Sequence, residues 1–299
     1  MRVFVTGASG WVGRGLVPEL TAAGHEVTGL ARSDAAAKAL QAAGAQARPG
    51  SLDDLGAPHE AAATADGVVH LAFKHDIAFS GGFAEATAAD RLAIETFGEA
   101  LAGTGKPFVI ASGILGVLGL PPGVTATERD GLAPAGGDGE IPVSGARDRM
   151  ANARYTTALA ARGVRSSVVR LPPSTHGNGD NGFIPTAIGF ARQKGAAAYV
   201  GDGANRWPAV HRDDAARLFR LALESARPGR CCTPSATKAC QSGKSPRSSP
   251  RISASPRSPS PPSRPGSTSA SSAASGDSTA RPRRGSPATC SGGSRPGRD

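Results

Sequence analysis

Three glycines set the first chemical constraint. Thr6-Gly7-Ala8-Ser9-Gly10-Trp11-Val12-Gly13 follows the apolar run Val3-Phe4-Val5 and leads into the helix-like stretch Leu16–Ala23. A glycine-rich turn in that position brings backbone amides, including the unpaired ones at a helix N-terminus, close to a bound pyrophosphate. A second strand-like run, Glu26–Ala31, follows at the spacing of one βαβ unit, and this context makes the signal specific. The competing reading is a glycine-rich turn with no ligand. At the end of the second run an acidic residue would accept hydrogen bonds from ribose hydroxyls, whereas a basic one would pair with a 2′-phosphate. Arg32 stands there, with Ser33 as a phosphate donor, so NADP(H) is expected over NAD(H). Asp34 leaves a ribose contact open, and the plain alternative for Arg32 is a solvated loop cation.

Histidine titrates near neutrality, which makes His176 a candidate proton carrier; with no partner visible, hydrogen bonding in a substrate loop competes with catalysis. Lys74, His75 and His211 fall near the same expected cleft. No His/carboxylate set has ligand spacing, so no metal site is expected. Trp207 and Pro208 read either as an aromatic wall of a small-molecule pocket or as a core anchor.

These residues need a scaffold, and the apolar pattern supplies one. Arg2–Val5, Glu26–Ala31, Gly67–Phe73, Phe108–Ser112 and Ser166–Leu171 read as strands, each near an Ala/Leu-rich helical stretch. Continuous apolar runs such as Val68-Val69-His70-Leu71-Ala72 suit strands covered on both faces. The expected fold is α/β, a Rossmann doubly wound parallel sheet with a small C-terminal substrate lobe that is truncated or replaced by a disordered tail. Residues 1–228 would form the NAD(P)-binding domain, with lobe elements at about 120–145 and 172–214. The Pro/Gly-rich stretch Leu120–Ser144 reads as a long surface loop, a lid over the cleft or simply mobile. Helical character returns from Ala146 to Arg162.

The net charge of +10 looks like a nucleic-acid signal until it is located. Residues 230–299 hold 12 Lys and Arg against two acids, leaving 22 of each sign elsewhere. Global steering therefore says little about the folded part. All four cysteines (Cys231, Cys232, Cys240, Cys290) also lie beyond Arg230, so the body has no disulfide or thiolate metal site, and a reducing cytoplasm fits. No run approaches a membrane span or a signal segment, and a soluble, unprocessed protein is expected.

From Gly229 onward the composition turns to Ser, Pro, Arg and Gly, which bury too little surface to offset ordering entropy, and disorder is expected over 229–299. A frameshift near residue 230 would produce such a tail. A TCN serine codon, read one frame over from its neighbour's third base, becomes NTC, which encodes Val, Ile, Leu or Phe. Applied from Pro234 to Pro250, that shift turns Ser242, Ser245, Ser248 and Ser249 apolar at a spacing suited to one helix face. Our hypothesis is that the native C-terminal lobe has been replaced, which would leave apolar surface uncovered. Resequencing is expected to reveal the shift; an uninterrupted reading frame would contradict it.

Thr6-Gly7-Ala8-Ser9-Gly10-Trp11-Val12-Gly13 resembles the TGxxGxxG signature of extended short-chain dehydrogenases and NAD-dependent epimerase/dehydratases. The resemblance covers about residues 1–228. Gly50-Ser51-Leu52-Asp53-Asp54 resembles the family's adenine-contact turn, and His70-Leu71-Ala72, with Phe73 beside it, its fourth-strand end. Val169-Arg170-Leu171-Pro172 with His176-Gly177 resembles the segment lining the substrate site, and Gly201-Asp202-Gly203 through Asp214 the later lobe. Ser112 falls where the family places its active-site Ser. The resemblance thus implies cofactor contacts from Thr6, Gly7, Ser9, Gly10, Trp11, Val12, Gly13, Arg32, Ser33, Asp53, Leu71, Ala72 and Phe73.

One departure stands out. Typical members carry a Tyr and, four residues later, a Lys that lowers the Tyr pKa. Counting back from Arg170, that dyad should fall near Ala146 and Met150, and Tyr155 has Leu159 four residues on. The chain therefore resembles the atypical subgroups. Ser112 would orient a carbonyl or serve only as a strand-end hydrogen bonder, and Tyr155 would donate a proton or simply pack. The leading expectation is an oxidoreductase or epimerase-like protein acting on a small carbonyl or alcohol. A non-catalytic NADP(H)-sensing regulator is the alternative. A nucleic-acid-binding tail is disfavoured because it lacks aromatic residues for base stacking.

Overall fold

The computed structural model describes residues 1–114, 127, 128, 130, 146–199, 201–203, 206–233 and 240–241. The first half alternates β1 (Arg2–Thr6), α1 (Gly13–Ala22), β2 (Glu26–Ala31), α2 (Asp34–Ala42), β3 (Gln46–Pro49), α3 (Gly56–Thr64) and β4 (Gly67–His70). It continues with α4 (His75–Phe79), α5 (Phe83–Leu101) and β5 (Pro107–Gly113). After the interruption come α6 (Ala146–Ala158), a 3₁₀ turn (Leu159–Arg162), β6 (Arg165–Leu171), β7 (Ser174–His176) and α7 (Phe183–Lys194). The last elements are β8 (Arg206–Trp207), β9 (Ala209–His211), α8 (Arg212–Ser225), β10 (Arg230–Cys232) and β11 (Cys240–Gln241).

Among the described residues, seven strands form one parallel sheet in the order β10-β6-β5-β4-β1-β2-β3. Alternation along each strand divides the core between its faces. Val3 and Val5 of β1 pack with Leu16, Val17 and Leu20 of α1 and with Phe219 and Leu223 of α8. Phe4 turns the other way, to Ile94, Phe97 and Leu101 of α5 and Phe108 of β5. Phe97 meets Phe4, Phe108 and His70 edge-on at 5.4–6.1 Å. Each fully buried large side chain contributes about 1.5–3 kcal/mol.

The doubly wound parallel sheet is therefore as the sequence implies, with two strands the sequence did not show. β3 is an edge strand, Gln-Ala-Arg-Pro, without a buried residue, and so carries no apolar run. β10 falls inside the stretch expected to be disordered from Gly229. Instead, Cys231 pairs with Val168 of β6 and is 6% exposed, acting as a small hydrophobe in the core layer of Phe4, Phe97 and Phe108. Burial pushes its thiol up to about 11. The rest of that tail, apart from Thr233 and β11, lies outside the described residues, as does the expected lid at 120–144 except for Thr127, Glu128 and Asp130.

Two short pairings make the smaller lobe: β7 runs parallel to β9, setting His176 opposite His211, and β11 runs antiparallel to β8. α7 buries none of its residues, and Phe183, Ile184, Ile188 and Phe190 lie exposed, Phe190 at 62%. Among the described residues no helix is long and apolar enough to cross a membrane.

Candidate functional site

β1 ends at Thr6 and the chain turns at Gly7, whose φ is +66°. A Cβ on Gly7 would lie 2.7 Å from the Ala72 nitrogen and 2.9 Å from the Leu71 carbonyl carbon, just past the end of β4. One on Gly13 would lie 2.3 Å from Ala8 O and 2.4 Å from Gly7 O. Neither position admits a side chain. Gly10 N donates to Gly7 O and Arg14 N to Gly10 O, each at 2.9 Å, so the turn feeds straight into α1. The first amides of a helix have no partner within it and carry its positive dipole end. A diphosphate fits this cradle: backbone donors face it and no Cβ at Gly7 or Gly13 holds it off. β1 and β4 are also the neighbours at which the strand order reverses, the place where open α/β sheets take ligands.

Thr6, Gly7, Ser9, Gly10, Val12 and Gly13 thus form one turn, with Leu71 and Ala72 against it and Phe73 next along the chain. Trp11 belongs to the turn through its backbone only. Its indole N–H donates to Thr175 O at 2.7 Å, and the Arg212 guanidinium carbon sits 4.8 Å from the ring centre, tying the turn to the smaller lobe. Arg32 is exposed beyond β2. The Ser33 hydroxyl oxygen caps α2 by accepting from Ala36 N at 3.2 Å, leaving its O–H to donate. Asp53 pairs with Lys74. Its carboxyl is held below the usual carboxylate range by the Lys74 hydrogen bond first, then by Ser51, with the Arg32 charge a smaller contributor.

Below the turn runs a buried polar chain that the sequence did not reveal. Ala72 N donates to Thr6 Oγ1 at 3.4 Å, Thr6 Oγ1 lies 2.6 Å from His70 Nδ1, and His70 Nε2 lies 3.3 Å from Asp90 Oδ1. A ring proton on Nε2 makes every donor in this chain meet an acceptor. Asp90, on α5 and 3% exposed, also accepts from Asn152 Nδ2 at 2.8 Å and lies 2.8 Å from Arg149 Nη1. That last contact has ion-pair distance without hydrogen-bond geometry, because Nη1 is buried with no acceptor in line. Arg149 Nη2 donates to Ala111 O at 3.1 Å, and its guanidinium carbon lies 4.1 Å from the centre of the Phe73 ring. Burial works to raise the Asp90 carboxyl, but Arg149, His70 and Asn152 outweigh it and hold it below its ordinary value. In an Ala-rich helix a lone Asp reads as solvated; the one usable signal was that Arg149 adjoins Met150, where a cation was counted.

The three residues proposed for chemistry occupy different surroundings. Ser112 is buried at the end of β5, opposite Arg170 of β6 and next to the carbonyl that holds Arg149. Tyr155 packs toward α5, its ring 3.7 Å from the Arg91 guanidinium carbon. Six residues from Arg149, it occupies another face of α6. His176 is exposed on β7, its ring 5.5 Å from that of His211, the partner the sequence did not show. Trp207 stacks on Phe183 at 5.0 Å, and its indole nitrogen is buried without an acceptor. Burial, then the Arg149 charge, lowers the His75 pKa. Among the described residues no cluster of three ligand-type side chains could hold a metal. An open cavity of about 440 Å³ lies at the amino ends of β1–β3 and meets none of these residues.

A family model described as the NAD dependent epimerase/dehydratase family matches residues 3–110. An uncharacterized protein of Schizosaccharomyces pombe is 43% identical over 229 residues, covering 77% of this chain and 72% of that protein. The chain belongs to the NAD dependent epimerase/dehydratase family. A 2-alkyl-3-oxoalkanoate reductase of Stenotrophomonas maltophilia is 28% identical over 239 residues, 78% of this chain and 68% of that protein. The UDP-glucose 4-epimerase of Thermus thermophilus, solved with NAD, shares the fold of this family member at TM-score 0.60 and 19% identity, covering 81% of this chain and 80% of that one.

The buried chain gives a direct prediction. In Asp90→Asn the Arg149 charge loses its counterion, and stability should fall by about 3–5 kcal/mol at pH 7. Because the folded Asp90 pKa is depressed, its contribution is present above the unfolded value of 3.8 and lost as pH falls below it. Urea unfolding of both proteins should therefore show a gap at pH 7 that narrows below pH 4. Equal stability at pH 7 would show that the pair does not hold the site.

Proposed function

We propose that this family member binds NADP(H) at the β1–α1 turn and uses it to oxidise, reduce or epimerise a small carbonyl or alcohol compound. One observation carries the reading: Gly7 and Gly13 are packed so tightly against Ala72 and Ala8 that the turn is a bare backbone cradle at the sheet's switch point. The relatives named above support the cofactor class and carbonyl chemistry, one through NAD in its solved structure and the other through its name as a reductase of an oxoalkanoate.

The preference for the 2′-phosphorylated cofactor rests on Arg32 beyond β2, with the Ser33 O–H beside it and Lys74 near enough to pair with Asp53. When bound, the nicotinamide supplies hydride exchange; the chain's part is to hold both partners and exclude water. Ser112 is the proposed carbonyl-orienting residue, and His176, in edge-to-face contact with His211, the proposed proton carrier. The packing of Tyr155 against Arg91 favours one second reading, a cofactor-sensing protein without catalysis. Hydride exchange with any carbonyl distinguishes the two. The proposed location is the cytoplasm and the proposed partner a small molecule.

The test is thermal unfolding with NADPH and with NADH. A ligand at 100 times its Kd stabilises the native state by about 2.7 kcal/mol, roughly 5–10 °C in Tm for a domain of this size. NADPH should give that shift at a lower concentration than NADH, and Arg32→Glu should remove most of the difference. A cooperative transition that neither cofactor moves would overturn the reading.

A further inference from the structure

We infer that Arg149 shares with Ser112 the oxygen-binding part of the substrate site, its guanidinium donating to the carbonyl oxygen of a neutral ketone or aldehyde. This deepens the dinucleotide reading above and rests on it.

Position comes first. Arg149 projects from α6 to the carboxyl ends of β4 and β5, lying over Phe73 and donating to Ala111 O. It is therefore beside both Ser112 and the residues that adjoin the glycine turn, where an open α/β sheet takes its ligand. Its side chain is 18% exposed, so part of it reaches solvent from an otherwise buried setting.

Donor capacity comes next. A guanidinium carries five N–H groups. Nη2 serves Ala111, whereas Nη1 is buried, close to Asp90, and lacks an acceptor in line. The five N–H groups outnumber these two partners, and the part of the side chain that reaches solvent is where a ligand oxygen would be met.

Charge then selects the ligand. Asp90 neutralises Arg149 at 2.8 Å and is itself fixed by His70 and Asn152, so the pair presents oriented donors with little net charge. A carboxylate would meet Asp90 as well as Arg149. A neutral carbonyl meets no such repulsion, and its oxygen gains negative charge only as the reaction proceeds, when a fixed donor helps most. Phe73, in contact with Phe83 directly and with Phe79 through His75, forms the adjoining aromatic surface, which fits an apolar substituent on that carbonyl.

In the reducing direction the carbonyl carbon would gain a hydride from a bound reduced nicotinamide dinucleotide, which would leave oxidised, the C=O π pair would move onto the oxygen held by Arg149, and the resulting alkoxide would take a proton from His176, the proton carrier proposed above, which would recover one from water. Asp90 is a positioning residue in this scheme, acting only through Arg149.

The experiment follows NADPH absorbance with the full chain and a panel of neutral 1,2- and 1,3-diketones and aromatic aldehydes, alongside NADPH binding by fluorescence. Wild type should reduce at least one member. Arg149→Ala and Arg149→Gln should lower kcat/KM at least 100-fold while the NADPH Kd changes less than about threefold, because loss of one such donor typically costs 10²–10³ in rate. Millimolar guanidinium ion should restore part of the Arg149→Ala rate, which a merely structural role would not allow. If the single variants unfold, the double variant D90N/R149Q removes both buried charges and should show the same loss. Reduction undiminished in a folded variant, or wild type that binds NADPH but reduces no panel member, would overturn the inference. Failure of wild type to bind NADPH would instead remove the dinucleotide reading beneath it.

Discussion

Any side chain at Gly7 would drive its Cβ to 2.7 Å from the Ala72 nitrogen, and the arrangement of the site depends on that closeness. With no Cβ in the way, the turn after β1 sits directly on the chain leaving β4. Thr6 then reaches Ala72 N and His70, His70 reaches Asp90, and Asp90 holds α6 through Arg149 and Asn152. A backbone approach fixed by glycine at one end is thus continued as a line of hydrogen bonds to α6.

Such a chain is a weak source of net stability, because desolvating Asp90 and Arg149 offsets much of their attraction. Its contribution is position. Each member has few alternative partners once buried, so β4, α5 and α6 keep one relative placement. The sheet beneath supplies the stability: Phe4, Phe97 and Phe108 close one face, and α1 with α8 closes the other. Trp11 and Thr175 fasten the smaller lobe to the same turn.

The sequence made the glycine turn and the five central strands legible, because backbone-limited turns and doubly covered strands restrict residue type strongly. Edge strands restrict it weakly, which hid β3 and β10. Long-range polar pairing leaves no periodic trace, so Asp90, 20 residues from His70 and 62 from Asn152, could not be connected before the fold was known. Helix register was the other limit. Counting back from Arg170 places the family's missing dyad near Ala146 and Met150, with Tyr155 the nearby tyrosine, and no such count points to Arg149, whose side chain meets Ala111 and Phe73.

The measurement that bears most directly on the central claim is amide hydrogen exchange of the full chain with and without NADP(H). Binding at the cradle should slow exchange at Trp11, Val12 and Gly13 and at Leu71–Phe73, with smaller effects at the amino ends of β1–β3. Protection confined to those amino ends, or no protection at the turn under saturating cofactor, would contradict it.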